Sequence, residues 1–184
     1  MSYYDKEIID NVLSKFVLNR MTDNKPITIL FDADNTLFKF STYGLSDLSL
    51  KEMYTKGFYK NLPVFSEAPT VIENLQRLGI KCGIASSVID SPFCKSEKLQ
   101  SFNYHFPMIK DEDIYLVETG VSKSSLFEDV SDIILVDDFN GNIMDWYKAG
   151  GIAIKKSYSG KPRPVPQVMS LIDLFPLLHQ LGVY

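Results

Sequence analysis

The feature that most restricts this chain is a rhythm. Short apolar runs recur along it, ITILF at 27–31, IKCGIA at 80–85, IYLV at 114–117, IILV at 133–136 and IAI at 152–154. Each is too short to be a buried helix and reads as a strand. Segments with helical patterning lie between them. APTVIENLQRLG is a helix ended by Gly79, SPFCKSEKLQSF a turn into a short helix, SKSSLFEDV a helical turn or two, and NIMDWYKAGG a helix stopped by glycines. VMSLIDLFPLLHQLG reads as a closing helix interrupted at Pro176. Strands that alternate with helices build a parallel sheet with helices on both faces, so the expected class is a Rossmann-like α/β fold.

Two stretches stand outside the rhythm. Ile8, Ile9, Val12, Leu13, Phe16 and Val17 follow i, i+4 spacing, which predicts an amphipathic helix within an N-terminal extension, residues 1–26, packed over the sheet edge. The aromatic and polar stretch from about 38 to 63 is expected to form a small helical cap inserted into the main domain, 27–184. At 184 residues the chain suffices for one domain with a sizeable core.

Composition removes several functions. The formal net charge of -4 argues against a nucleic-acid polymer or a membrane surface as partner. No apolar run reaches membrane-spanning length, and MSYYDKEIID lacks a signal-peptide core. The two cysteines, Cys82 and Cys94, have neither zinc-site spacing nor the density of a disulfide scaffold, so a cytoplasmic location is expected. His105 and His179 are the only histidines, which excludes a His-rich metal site; both read as structural. Nothing demands a second subunit, although the N-terminal helix leaves room for a homodimer contact.

In parallel α/β folds ligands bind beyond the carboxyl ends of strands, and polar residues cluster there. Asp32 and Asp34 follow the first strand, Ser86 and Ser87 the second, and Asp137 and Asp138 the fourth; Lys123 opens the helix after the third. Alternation puts Asp32 and Asp34 on one side, so one can be nucleophile or metal ligand while the other moves a proton. Asp137 and Asp138 are adjacent and point apart, so only one should touch a metal while the other orients a ligand or the lysine. An all-oxygen site with few protein ligands suits Mg²⁺. Hydroxyls and a lysine beside it would hold phosphate oxygens.

At this point the sequence resembles a known family. DADNT matches the D-x-D-x-T signature of haloacid dehalogenase (HAD) type phosphatases, and the later Ser, Lys and acidic pair come in that family's order. GFYKNLPVFSEA, SSVIDSPFCKSEKLQ, GVSKSSL and ILVDDFNGN, with Trp146 and GGIAI following, are similar to the 5′(3′)-deoxyribonucleotidases. The stretch between Leu37 and Pro63 is short for that family, and the N-terminal helix lies outside the likeness.

The resemblance implies a two-step hydrolysis of nucleoside monophosphates, deoxy forms above all. Asp32 would attack phosphorus, and Asp34 would protonate the leaving oxygen and then deprotonate water. Mg²⁺ would lie on Asp32, the Asp34 backbone carbonyl and Asp138, with Asp137 acting from behind. Lys123 would hold the transferring phosphoryl and Ser86 its oxygens, with Ser87 and Lys98 as further phosphate contacts.

Plainer readings stand beside these. The aspartates could cap a turn, Lys98 could pair with Glu97 on the surface, and either serine could cap the next segment. A cation at a helix start is unfavourable, so Lys123 points to an anion nearby. Phe38, Phe40, Tyr43, Tyr54, Phe58 and Tyr59 could stack on a base or form the cap's own core. The alternative functions are a phosphatase for another small ester, such as a sugar phosphate, and a non-enzymatic phosphate-binding regulatory module.

Overall fold

The computed structural model describes residues 3–23, 25–40 and 47–184. Six strands form one parallel sheet: β1 (Thr28–Phe31), β2 (Lys81–Val88), β3 (Ile114–Glu118), β4 (Ile133–Asp137), β5 (Ile152–Lys156) and β6 (Gln167–Val168). Their spatial order is β3-β2-β1-β4-β5-β6, and every pairing is parallel. β1 therefore sits between β2 and β4, where the chain changes its direction of winding. In parallel sheets this switch point opens a crevice at the strand ends.

Among the described residues six α-helices accompany the sheet: α1 (Lys6–Thr22), α2 (Asp47–Glu52), α3 (Ala68–Arg77), α4 (Cys94–His105), α5 (Asn140–Lys148) and α6 (Leu174–Gln180). Crossovers of one hand that travel in opposite directions from β1 place α3 and α4 on one face and α5 on the other. α3 buries Val71, Ile72 and Leu75, one stripe of its surface. α5 buries Ile143, Met144, Trp146 and Tyr147. Gly151 follows α5, and a Cβ there would lie 2.4 Å from the Trp146 indole nitrogen, so only glycine admits that ring.

α1 packs on α5 and β5, burying Ile9 and Phe16 while Leu18 and Met21 face outward. Its Asp5 side chain accepts from the Ile8 N–H and caps the first turn. Two details at the C-terminal end differ from the sequence reading. Pro176 does not interrupt a helix; it sits in the first turn of α6, where no backbone N–H is needed. The segment read as one helix is instead β6, a 3₁₀ turn at Leu171–Asp173 with a Ser170 capping box, and then α6. Four strands also run further than the apolar residues alone suggested: β2 through Ser86, Ser87 and Val88, β3 through Glu118, β4 through Asp137 and β5 through Lys155 and Lys156.

Between β1 and α3 lie α2 and a 3₁₀ turn, Tyr59–Asn61. Phe40, Tyr59 and Cys94 form a small apolar cluster there, flanked by Phe58 and Met53 and separate from the main core. Phe38 belongs to the main core, against Phe102 and Phe106. Tyr43 lies outside the described residues.

Candidate active site

β1 is apolar because both its faces are covered, and it ends at Phe31. The next residues fold into a turn in which Leu37 and Phe38 both donate backbone N–H groups to the Ala33 carbonyl. Asn35 takes φ 59°, a left-handed conformation that asparagine tolerates better than most side chains. This turn lifts Asp32 and Asp34 to the sheet edge. The Asp32 N–H still donates to the Val136 carbonyl at 2.8 Å, which locks it beside β4.

Lys123 lies at the start of a 3₁₀ turn, Lys123–Leu126, and is almost wholly buried. Its Nζ is 2.5 Å from Asp32 Oδ1 and 2.7 Å from Asp137 Oδ2. Burial alone would drive the proton off this amine, but Asp137 and Asp32 outweigh it and raise its pKa. Asp137 is further fixed by the Phe139 N–H at 2.7 Å and by Asn142 Nδ2 at 2.8 Å. With two oxygens taken by three donors, it is a buried anchor for the lysine.

Oxygens of Asp32, Asp137 and Asp138 lie within 4.8 Å of one another. Burial pushes the Asp32 carboxyl well above the usual range; Asp137, Asp34 and Asp138 add to this, and Lys123 opposes it. Burial and the adjacent Asp137 also push Asp138 up to about 7, against the attraction of Lys155 and a hydrogen bond from the Asn35 side chain. The hard oxygen donors of these carboxylates fit Mg²⁺, which would restore the ionised forms.

A second buried lysine completes the other wall. Lys98, on α4, places Nζ 2.6 Å from Asp34 Oδ2, 2.9 Å from Ser86 Oγ and 2.8 Å from the Ser87 carbonyl. It is no surface partner of Glu97. That carboxylate turns the other way and accepts from the backbone N–H groups of Gly57 at 2.5 Å, Tyr59 at 3.2 Å and Lys60 at 3.4 Å. Lys98 also lies 5.1 Å below the Tyr59 ring, a cation–π contact.

A cavity of about 490 Å³ opens above these groups, lined by Asp32, Asp34, Ser87, Asp138 and Phe40 among others. Ser87 faces it, whereas Ser86 is fully buried behind it and accepts from Lys98 Nζ. All eight residues singled out in the sequence are therefore gathered at one strand edge. Lining residues not singled out include Asn35, the Thr119–Ser122 loop, Asn142, Asp145 and Phe139, the last 62% exposed. Asn35 and Phe139 adjoin the aspartates in DADNT and VDDFNGN, and this adjacency was the available signal. The histidines lie elsewhere: His105 packs on Phe38 and Tyr104, and His179 on Tyr184. Both cysteines are buried and free, and burial pushes Cys82 up to about 12.

No family model matches the sequence. No curated protein matches it either. Solved structures do share its fold. One is the D,D-heptose 1,7-bisphosphate phosphatase from B. bronchiseptica complexed with magnesium and phosphate, 10% identical, covering 84% of this chain and 98% of its own, with a TM-score of 0.58. Another is a HAD family hydrolase from Deinococcus radiodurans R1 with bound phosphate and sodium, 12% identical, covering 88% and 98%, TM-score 0.58. A third is a HAD hydrolase, family IA, variant 3, from Entamoeba histolytica, 13% identical, covering 86% and 100%, TM-score 0.58. The chain shares its fold with these three structures.

Proposed function

We propose that this protein is a Mg²⁺-dependent phosphomonoester hydrolase that works through an aspartyl-phosphate on Asp32, with nucleoside monophosphates, deoxy forms above all, as substrates. The observation that carries the reading is the Lys123 ammonium held between Asp32 and Asp137 at the switch point of the sheet. A phosphatase and a hydrolase among the fold neighbours support the reaction class. The nucleotide substrate rests on the likeness of GFYKNLP, CKSEK and VDDFNGN to deoxyribonucleotidases.

Asp32, Asp138 and the Asp34 carbonyl would hold the metal, and Asp137 would keep Lys123 aimed. When bound, the ion supplies positive charge that lets two anions, carboxylate and phosphate, approach each other. The side chains do the rest. Asp32 Oδ attacks phosphorus and the ester P–O bond breaks, while Asp34 gives its proton to the departing oxygen. Asp34 then takes a proton from water as that water attacks the acyl phosphate, which frees Asp32 and inorganic phosphate. Lys123 neutralises charge on the transferring group, and Lys98 with Ser87 holds its outer oxygens. Ser86 positions Lys98. Phe40 and Phe139 give the cavity an apolar side that suits a nucleoside.

Phosphate release from dNMPs, NMPs and sugar phosphates, with Mg²⁺ and with EDTA, tests this. Metal-dependent release concentrated on deoxynucleotides, lost by about 10³-fold or more in Asp32→Asn, is expected. Release spread evenly across sugar phosphates would reject the nucleotide substrate. Release from any of them undiminished in Asp32→Asn would reject the mechanism.

A further inference from the structure

Beside the phosphoryl site lies a second cavity, of about 660 Å³, that the mechanism above leaves unused. The two share Asp138 and Phe139 as a common wall. Lys155, Lys156, Lys161 and Arg163 line it, with hydroxyls from Ser157 and Ser159. Among the described lining residues Asp138 is the only acid. Glu67 and Asp173 also attract Lys156, so the local excess is carried by Lys155, Lys161 and Arg163 against Asp138, in a chain whose formal net charge is -4.

These cations are not a loose surface cluster. Lys155 and Lys156 end β5 and are buried. Lys155 Nζ donates to the Asp138 carbonyl, and Lys156 Nζ to that of Met169 at 2.6 Å. Each ammonium has three donors, so these contacts leave capacity for a ligand. The guanidinium of Arg163 lies 5.9 Å from the ring centre of Tyr4, whose hydroxyl donates to Asn140 Oδ1 at 2.7 Å. Its Nε is buried and meets no hydrogen-bond acceptor among the described residues. Arg163 is also close enough to Lys155 to repel it. Tyr158 donates its hydroxyl to the Asn35 carbonyl, and Gln167 Nε2 donates to the Lys161 carbonyl at 3.3 Å, so the loop is tied at several points. Holding like charges together costs free energy that an anion between them would offset.

We propose that this cavity is a second anion subsite, which takes a further phosphate or carboxylate of the same substrate whose reacting phosphoryl sits at Asp32. The inference rests on the phosphatase reading but replaces its nucleoside monophosphate substrate with phosphate esters that carry a second anionic group, such as a nucleoside or sugar bisphosphate. Neighbouring strands lie about 4.8 Å apart, and β5 is two strands from β1, so the two anions would be roughly 10 Å apart. Phe139, exposed on the shared wall, would lie beneath the part of the substrate that joins them.

Equilibrium binding in Mg²⁺ to the Asp32→Asn protein, which keeps ligand intact, separates the cases. Two pairs serve as probes: a deoxynucleoside 5′-monophosphate with its 3′,5′-bisphosphate, and fructose 6-phosphate with fructose 1,6-bisphosphate. In at least one pair the bisphosphate is expected to bind about tenfold or more tighter. That advantage should disappear in a Lys161→Gln/Arg163→Gln version, and fall in Lys161→Gln alone, whose exposed side chain can change without disturbing Tyr4. Thermal melts confirm that both variants stay folded. Equal affinity within both pairs, or an advantage that survives the double substitution, overturns the subsite and leaves the phosphatase reading standing. Failure of all four ligands to bind counts against both.

Discussion

At the scale of single residues, the buried lysines dominate the energetics of the site. Lys123 separates two buried carboxylates, and removing one partner of such an arrangement strands the others. Lys123→Met should therefore lower unfolding free energy by about 3–5 kcal/mol, read by urea denaturation in EDTA. Mg²⁺ should return part of that loss, because it also neutralises Asp32. A variant as stable as the parent in EDTA would mean that the three groups are not mutually charged. The aspartates and Lys123 were legible in the sequence because each follows an apolar strand, and topology sends all strand ends to one edge. The direction of Lys98 was not legible. A lysine next to a glutamate on a helix looks the same whether the two pair with each other or turn to different partners, and only the depth of α4 against the sheet decides it. Ser86 and Ser87 were ambiguous for a related reason: they sit inside β2, where the pleat sends them to opposite sides.

At the scale of elements, Glu97 is the tie between α4 and the segment over the site. Its carboxylate accepts three backbone N–H groups from residues 57–60, an arrangement that would hold the cap at one height above Asp34. Glu97→Gln keeps the shape but loses the charge that strengthens these bonds. We expect faster amide exchange across 52–61 with exchange in β1 and β4 unchanged, and a rise in KM exceeding the fall in kcat. Unchanged exchange in 52–61 would show that the apolar cluster of Phe40 and Tyr59 holds the segment unaided. α1 offers a separate check. Ile9 is fully buried, so Ile9→Ala should cost about 2–5 kcal/mol by denaturant unfolding. The helices and strands were readable where an apolar stripe or a run of at least three apolar residues marked them. β6 was not, because two residues carry no periodicity, and the Pro176 reading failed because a proline in a first turn and one in mid-helix look alike until the helix start is known.

At the scale of the whole molecule, charge at the sheet edge couples stability to pH and metal. Asp138 has its pKa raised to about 7 from an ordinary 3.8, and Asp32 is raised as well. Between these values the folded protein binds more protons than the unfolded chain, so metal-free stability should fall as pH rises from about 4 to about 7. Lys123, raised from 10.5, does not contribute across that window. Mg²⁺ competes with those protons, so its stabilising effect should grow over the same interval. Thermal melts at pH 5, 6, 7 and 8 with EDTA or Mg²⁺ read both trends, and a Mg²⁺ effect independent of pH would mean that it binds elsewhere. The sheet order that creates this edge follows from the alternation of strands and helices together with crossover handedness. The basic cavity beside it could not be foreseen, since Lys161 and Arg163 lie in a loop whose path depends on contacts to Tyr4 and Asn35, far away along the chain.

Glu97 and Lys98 are consecutive, and neighbours on a helix point about 100° apart, so one turn of α4 grips the roof with one residue and the floor with the next. The helix works as a spacer gauge. Its rotation and depth set the roof-to-floor clearance, and neither contact can be adjusted without moving the other. Insertions elsewhere in the roof can change which molecules fit, but a one-residue slip in α4 would exchange the gripping residues and take the clearance and the chemistry out of tolerance together.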